Sequence, residues 1–119
     1  MTMSGALKKK GRRDGDRLDL LFHALSDRTR RAIVTRLASG PASVSELAAP
    51  FAMTLPAVSK HIRVLENAKL VSRKPSGGVQ RCVLTGAPFD DAADWIEAHR
   101  AMWEDALESL ARHAEAEGK

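Results

Sequence analysis

Several function classes need residues that this 119-residue chain hardly has. It carries no tyrosine, three phenylalanines and two tryptophans, 4% aromatic in all, which excludes a stacking platform for single-stranded nucleic acid. Its one cysteine, Cys82, excludes an internal disulfide and any metal site built from several thiolates. No stretch approaches the roughly 20 apolar residues that span a bilayer, and the N-terminus lacks the apolar core of an export signal. A soluble cytoplasmic protein with no membrane partner is expected. Also missing are a nucleophile elbow, a phosphate loop, a zinc-protease helix and a setting for paired carboxylates, so neither an enzyme nor a cofactor is expected.

What the chain does have is concentrated between Ser43 and Leu70. Ser43 and Glu46 have the spacing of a capping box, which starts a short helix at Val44; Leu47 and Ala48 form its apolar side and Pro50 ends it. Phe51 to Thr54 make a break. Thr54 caps a second, longer helix, with Pro56 in the first turn, where its missing N–H costs nothing. At about 100° per residue, Val58, Ile62 and Leu65 fall on one side of that helix, flanked by Leu55 and His61. Pro56, Lys60, Arg63 and Asn67 fall opposite, with Ser59 beside them. A helix that buries one stripe and presents cations and short polar groups on the other suits the major groove of duplex DNA. His61, at the edge of the apolar stripe, reads as a satisfied structural histidine.

Charge is unevenly placed. Residues 1–85 contain 16 Lys/Arg against 6 Asp/Glu, a net +10, while residues 86–119 contain 3 against 9, a net −6 that leaves the chain at +4. A basic body with an acidic end suits a body that meets phosphates and an end that does not. Residues 1–15 are polar and basic, a disordered tail whose Lys8, Lys9, Lys10, Arg12 and Arg13 either stay solvated or form an arm on DNA.

From Asp16 to Leu25 a helix is expected, with Leu18, Leu21, Phe22 and Leu25 on one face. Another runs from Arg28 to Ser39, capped by Ser26 and Asp27; Ala32, Ile33, Val34 and Leu37 point inward, and Arg28, Arg30, Arg31 and Arg36 outward. Gly40-Pro41 stops it. Beyond Asn67 the period changes: residues 70–74 and 79–84 read as two strands joined by Pro75-Ser76-Gly77-Gly78. Arg73, Lys74 and Arg81 on this hairpin are placed to meet phosphates or a minor groove. Cys82 within it is a small apolar filler rather than a redox switch. Residues 87–117 form one long helix with Asp90, Asp91 and Asp94 near its positive end. Its stripe of Ala92, Trp95, Ile96, His99, Met102, Trp103, Ala106, Leu107, Leu110 and Ala114 is more than so small a body buries by itself. A second copy is expected to cover it, helped by the first helix.

The runs ALSDRTRRAIVTRL and AVSKHIRVLENAKLV, with the hairpin that follows, resemble the ArsR-type winged helix-turn-helix repressors over residues 16–117. The two-tryptophan tail FDDAADWIEAHRAMWEDALESL resembles a branch of that family that does not sense metals. The resemblance implies a mainly α fold of five helices and a two-stranded wing, dimerising through its terminal helices. It also implies a homodimeric repressor of duplex DNA with a palindromic operator, often in its own promoter, that reads bases through Thr54, Leu55, Pro56, Ser59 and Lys60. With the cations derived above, the expected DNA surface is Thr54, Leu55, Pro56, Ser59, Lys60, Arg63, Arg73, Lys74 and Arg81. The expected dimer surface is Leu18, Leu21, Phe22, Trp95, His99, Met102, Trp103 and Leu110. Metal-sensing members carry cysteines in the first helix of the unit, where this chain has SELAAPF. Glu97 with His99 and His113 with Glu117 resemble a terminal-helix metal site, but the histidines stand 14 residues apart, about three more than that motif sets them. No metal is expected, and a metal-responsive repressor using these histidines stays an alternative, as does a protein-docking module on the same fold. The effector is unknown.

Overall fold

A computed structural model describes residues 15–117, which form five helices and three strands. They divide into two compact units, one ending at Phe89 and one beginning at Asp90. The expected N-terminal arm lies outside the described residues.

In the first unit, helix α1 (residues 15–25) is followed by α2 (Arg28–Leu37). Asp27 caps α2, its carboxylate accepting from the Arg30 N–H at 3.0 Å. Helix α2 ends two residues before the expected Ser39, because the Arg36 carbonyl takes up the Ser39 hydroxyl and the backbone turns into Gly40. Ala32 lies outside rather than inside, and Arg30, expected to be wet, is buried at 9% exposure.

A two-residue strand β1 (Ala42–Ser43) precedes α3 (Val44–Ala48). Helix α4 (Leu55–Asn67) and the strands β2 (Val71–Ser76) and β3 (Val79–Leu84) complete the unit. The hairpin is longer than its sequence suggests. Pro75 pairs with Gln80 and Ser76 with Val79, so only Gly77 and Gly78 form the connection. Both glycines have positive φ, +58° and +81°, as the mirror-image two-residue turns of twisted hairpins require. The two-stranded wing gains a third strand at its base. Strand β1 joins β3, Ala42 opposite Cys82 and Ser43 opposite Arg81, giving an antiparallel sheet of order β1-β3-β2.

The core of this unit is built from Leu21, Ile33, Leu37, Leu47, Val58, Ile62, Leu65, Leu70 and Cys82. Leu21, expected at a dimer surface, is therefore a core residue with no face to offer a partner. Burial pushes the Cys82 thiol up, away from the reactive thiolate, against a smaller opposing pull from Arg73.

Helix α5 (Ala87–Glu117) accounts for the second unit, with Asp90 in its first turn. Ala92 is buried, and Trp95, Ile96, Met102, Trp103, Leu107 and Leu110 are all exposed. No helix among the described residues is long and apolar enough to cross a membrane.

Candidate nucleic-acid interface

The interface is organised by α4, whose two ends are fixed by the chain's own polar groups. At its start the Thr54 hydroxyl accepts the Ala57 N–H at 3.2 Å, and Pro56 sits in the first turn. At its end Lys69 adopts φ +63°. Its N–H reaches the Glu66 carbonyl at 2.9 Å, and the next N–H, from Leu70, reaches the Leu65 carbonyl at 3.0 Å. This paired closure satisfies two orphan carbonyls and brings buried Leu70 against buried Leu65, fixing where the wing begins.

Between these ends α4 divides as its period requires. Val58, Ile62 and Leu65 are buried without remainder, which holds the helix against the body. Thr54, Leu55, Pro56, Lys60, Arg63 and Asn67 are exposed, and Ser59 is half-buried beside them. Lys60 and Arg63 form no ion pair among the described residues, so their charges face solvent without a competing acid. Helix α3, the first of the helix-turn-helix pair, is held by the Ser43 hydroxyl on the Glu46 N–H at 3.2 Å. The reciprocal half of the expected capping box is absent. The Glu46 carboxylate instead takes Arg81 at 3.1 Å and Arg36 at 3.7 Å, tying α3 to β3 and α2.

The wing cations differ from one another. Arg73, half-buried, donates to Glu66 of α4 at 3.0 Å. Arg81 is held by Glu46. Lys74 is exposed and without an ion pair among the described residues. Of the three, then, only Lys74 presents an uncompensated charge. Glu46, expected only as part of a capping box, and Glu66, given no role in the sequence, act as internal competitors for any phosphate that approaches the two arginines. The signal available was the placing of Glu66 one residue before the end of α4, seven residues ahead of Arg73.

His61 accepts from Arg30 at 3.1 Å through Nδ1, as expected of a satisfied structural histidine. Asp27, 3.8 Å from the same nitrogen, has its carboxyl held below the usual range, chiefly by the Arg30 backbone N–H and further by the Arg30 charge.

Of the residues expected at a dimer surface, Leu18 is half-buried, and Phe22 is exposed on α1 together with Leu20, which the sequence reading passed over. On α5, His99 stacks on Trp95 with ring centroids 3.9 Å apart, and its Nδ1 lies 2.8 Å from the Trp95 carbonyl. Met102, Trp103 and Leu110 continue the same exposed face. Arg100, bound to Glu97 and Glu104, lies beyond that stripe. That pairing holds the Glu97 carboxyl below its usual range. His113 pairs with Glu117 at 3.0 Å.

Residues 25–73 match a protein family described as a helix-turn-helix domain. An HTH-type transcriptional regulator of Mycobacterium tuberculosis, Rv2034, is 43% identical over 100 residues, covering 84% of this chain and 91% of its own length. The transcriptional repressor SdpR of Bacillus subtilis is 29% identical over 76 residues, 64% of this chain and 84% of its own. Among solved structures, an ArsR family transcriptional regulator superposes with a TM-score of 0.71 at 41% identity, covering 76% of this chain and 93% of its own. A homodimeric winged helix-turn-helix DNA-binding domain, Mb0332 of Mycobacterium bovis, superposes with a TM-score of 0.57 at 25% identity, covering 78% and 83%.

Proposed function

The chain belongs to the ArsR family of winged helix-turn-helix transcriptional regulators, and from that premise we propose that it works as a homodimeric repressor on an operator with two-fold symmetry. DNA binding and transcriptional regulation come with the family.

One observation carries it: α4 is immobilised by a buried stripe and two closed ends while its opposite face presents Lys60, Arg63, Ser59 and Thr54 to solvent. Reading bases demands both features. A side chain must arrive at a base edge within hydrogen-bond tolerance, and the backbone that carries it must not give way. Ser59 and Lys60 read bases. Lys74 steers and anchors on phosphates, and Arg73 and Arg81 join only by exchanging Glu66 and Glu46 for phosphate oxygens. Two copies carry two α4 helices, and a two-fold pair matches half-sites about 34 Å apart. The exposed stripe of α5 is the surface on which the copies meet, as supported by the homodimeric state of the Mycobacterium bovis relative. Its acidic outer face, part of a segment of net charge −6, keeps that end from the phosphates. Repression follows by occluding a promoter, a task carried out in the cytoplasm with the DNA.

A second reading has α5 docking another protein, favoured by the 66% exposure of Trp103. Selection of bound duplexes from a random pool decides between them. Enrichment of an inverted repeat, with binding that weakens steeply as salt rises, supports the repressor. Recovery of no sequence, with weak retention at low salt, leaves the docking module.

A further inference from the structure

Arg30 is the one charged side chain buried in the described body, and what it touches is unusual for a surface-type residue. Its Nε donates to the Ala24 carbonyl at 2.7 Å and its NH2 group to the His23 carbonyl at 3.1 Å. Both carbonyls belong to the last turn of α1, beyond which the helical N–H ladder ends; that of His23 also accepts the Ser26 N–H at 3.1 Å and the Ser26 hydroxyl at 2.6 Å. Its NH1 group donates to His61 Nδ1 at 3.1 Å. A guanidinium has five donors and no acceptor, so Nδ1 is the acceptor here and the ring's own N–H must sit on Nε2. One planar group thus joins three helices: α2, which carries it, the end of α1, and α4. Buried charges are kept only when their hydrogen bonds are complete, and removal of a partner is expensive. Among the described residues no buried side-chain polar atom is left without a partner.

His61 sits directly beside Lys60 in sequence, on the flank between the buried and the exposed faces of α4. The buried stripe stops α4 from leaving the body, but apolar contacts do not set rotation about the helix axis finely, because they have no preferred direction. A hydrogen bond at the flank does. At a helix radius of about 5–6 Å a rotation of 10° moves a side-chain tip by about 1 Å, enough to spoil a base-edge hydrogen bond.

We propose that Arg30, acting through His61, is the positioning residue that sets the rotation of the reading helix relative to the end of α1, so that base preference depends on this link. The inference rests on the DNA-reading role given to α4 above. Phosphate contacts by long flexible cations tolerate such a rotation, whereas bases do not. Losing the link therefore costs sequence preference rather than general affinity. The link also gives the exposed face of α1, with Leu20 and Phe22, a mechanical connection to the surface that reads DNA.

The test is fluorescence anisotropy of the full chain against its selected operator and an unrelated duplex, across a salt series. His61→Leu removes the acceptor but keeps an apolar edge of similar size, and leaves Arg30 both of its α1 carbonyls. Its preference for operator over unrelated duplex should fall by about tenfold or more, the size of one good base contact, with affinity for the unrelated duplex and the salt slope unchanged. His61→Asn, whose amide oxygen replaces Nδ1 as acceptor, should recover most of the preference. Should His61→Leu fold poorly by circular dichroism, Arg30→Lys replaces it, keeping the charge while lacking the fork that serves three acceptors, and the same loss of preference is expected. Unchanged preference in a folded His61→Leu or Arg30→Lys variant overturns the proposal, as does equal weakening on both duplexes. If the unaltered chain shows no operator preference, the reading of α4 fails instead, so the two failures are distinct.

Discussion

The two units use the same kinds of apolar residue in opposite ways. In the first, leucine, isoleucine and valine on α2, α3 and α4 close on one another until Val58, Ile62 and Leu65 touch no solvent. In α5, a longer stripe of greater side-chain volume stays open, with Met102 at 63% and Trp103 at 66% exposure. The sequence period is the same in both, so period alone does not say where an apolar face will be covered. What differs is the chain around it. The body has strands and helices before and after each apolar face, whereas α5 is a single helix of 31 residues. An apolar patch of that extent on a small protein marks an interaction surface.

The sharpest way to break this contrast is to truncate one large residue in each region. Ile62→Ala should lower the unfolding free energy by about 2–5 kcal/mol in urea titration, independently of protein concentration. Trp103→Ala should leave the body's own unfolding almost untouched and weaken self-association by about 2 kcal/mol or more, as anchors at interface centres do. If both variants lost stability alike at every concentration, α5 would belong to a core within one chain.

How much of this was legible in the sequence follows from which forces act locally. Helix α4, its cap Thr54, its buried stripe and its wet face were all readable, because a 3.6-residue period and a capping hydroxyl are written within one stretch. Strand β1 was not, since two residues have no period of their own and Ala42 and Ser43 become a strand only by lying against β3. The stop at Lys69 was equally hidden: that left-handed position usually carries glycine, and here a lysine adopts it because the closing bonds to Glu66 and Leu65 hold it there. Arg30 was misplaced because its angle on α2 says nothing of the carbonyls of α1 that draw it inward. The wing arginines were correctly found as cations but not as paired ones, because Glu46 lies 35 residues from Arg81.

Inside the body, reading and steering should separate next. Lys60→Ala should reduce discrimination at one base position by about 1–3 kcal/mol in competition binding. Lys74→Ala should weaken all duplexes alike and lower the log–log salt slope by about 0.9. A change of sequence preference in the Lys74 variant with no change of slope would reverse the two assignments.

Asp27 gives a smaller, pH-dependent effect. Its carboxyl is depressed in the folded protein by the Arg30 N–H it caps, so its contribution is fully present above the ordinary aspartate value and is lost as pH falls through the lower folded one. Asp27→Ala should therefore cost about 1 kcal/mol near neutrality in thermal melts, and the gap from the unaltered chain should close at acid pH. A gap that widened with acid would contradict the cap.

Smaller still is the exchange at the wing. Glu66→Gln frees Arg73 from its acid and should tighten binding by up to about 1 kcal/mol while steepening the salt slope by as much as about 0.9. Binding and slope both unchanged would mean that Arg73 stays on the body when DNA is bound.

The difference between the closed body and the open stripe of α5 rests on a second copy covering that stripe, and sedimentation equilibrium of the full chain measures this directly. At tens of micromolar the mass should be twice the 12.9 kDa of one chain, returning to a single chain's mass in Trp103→Ala. A mass of one chain throughout that range in the unaltered protein would contradict the account.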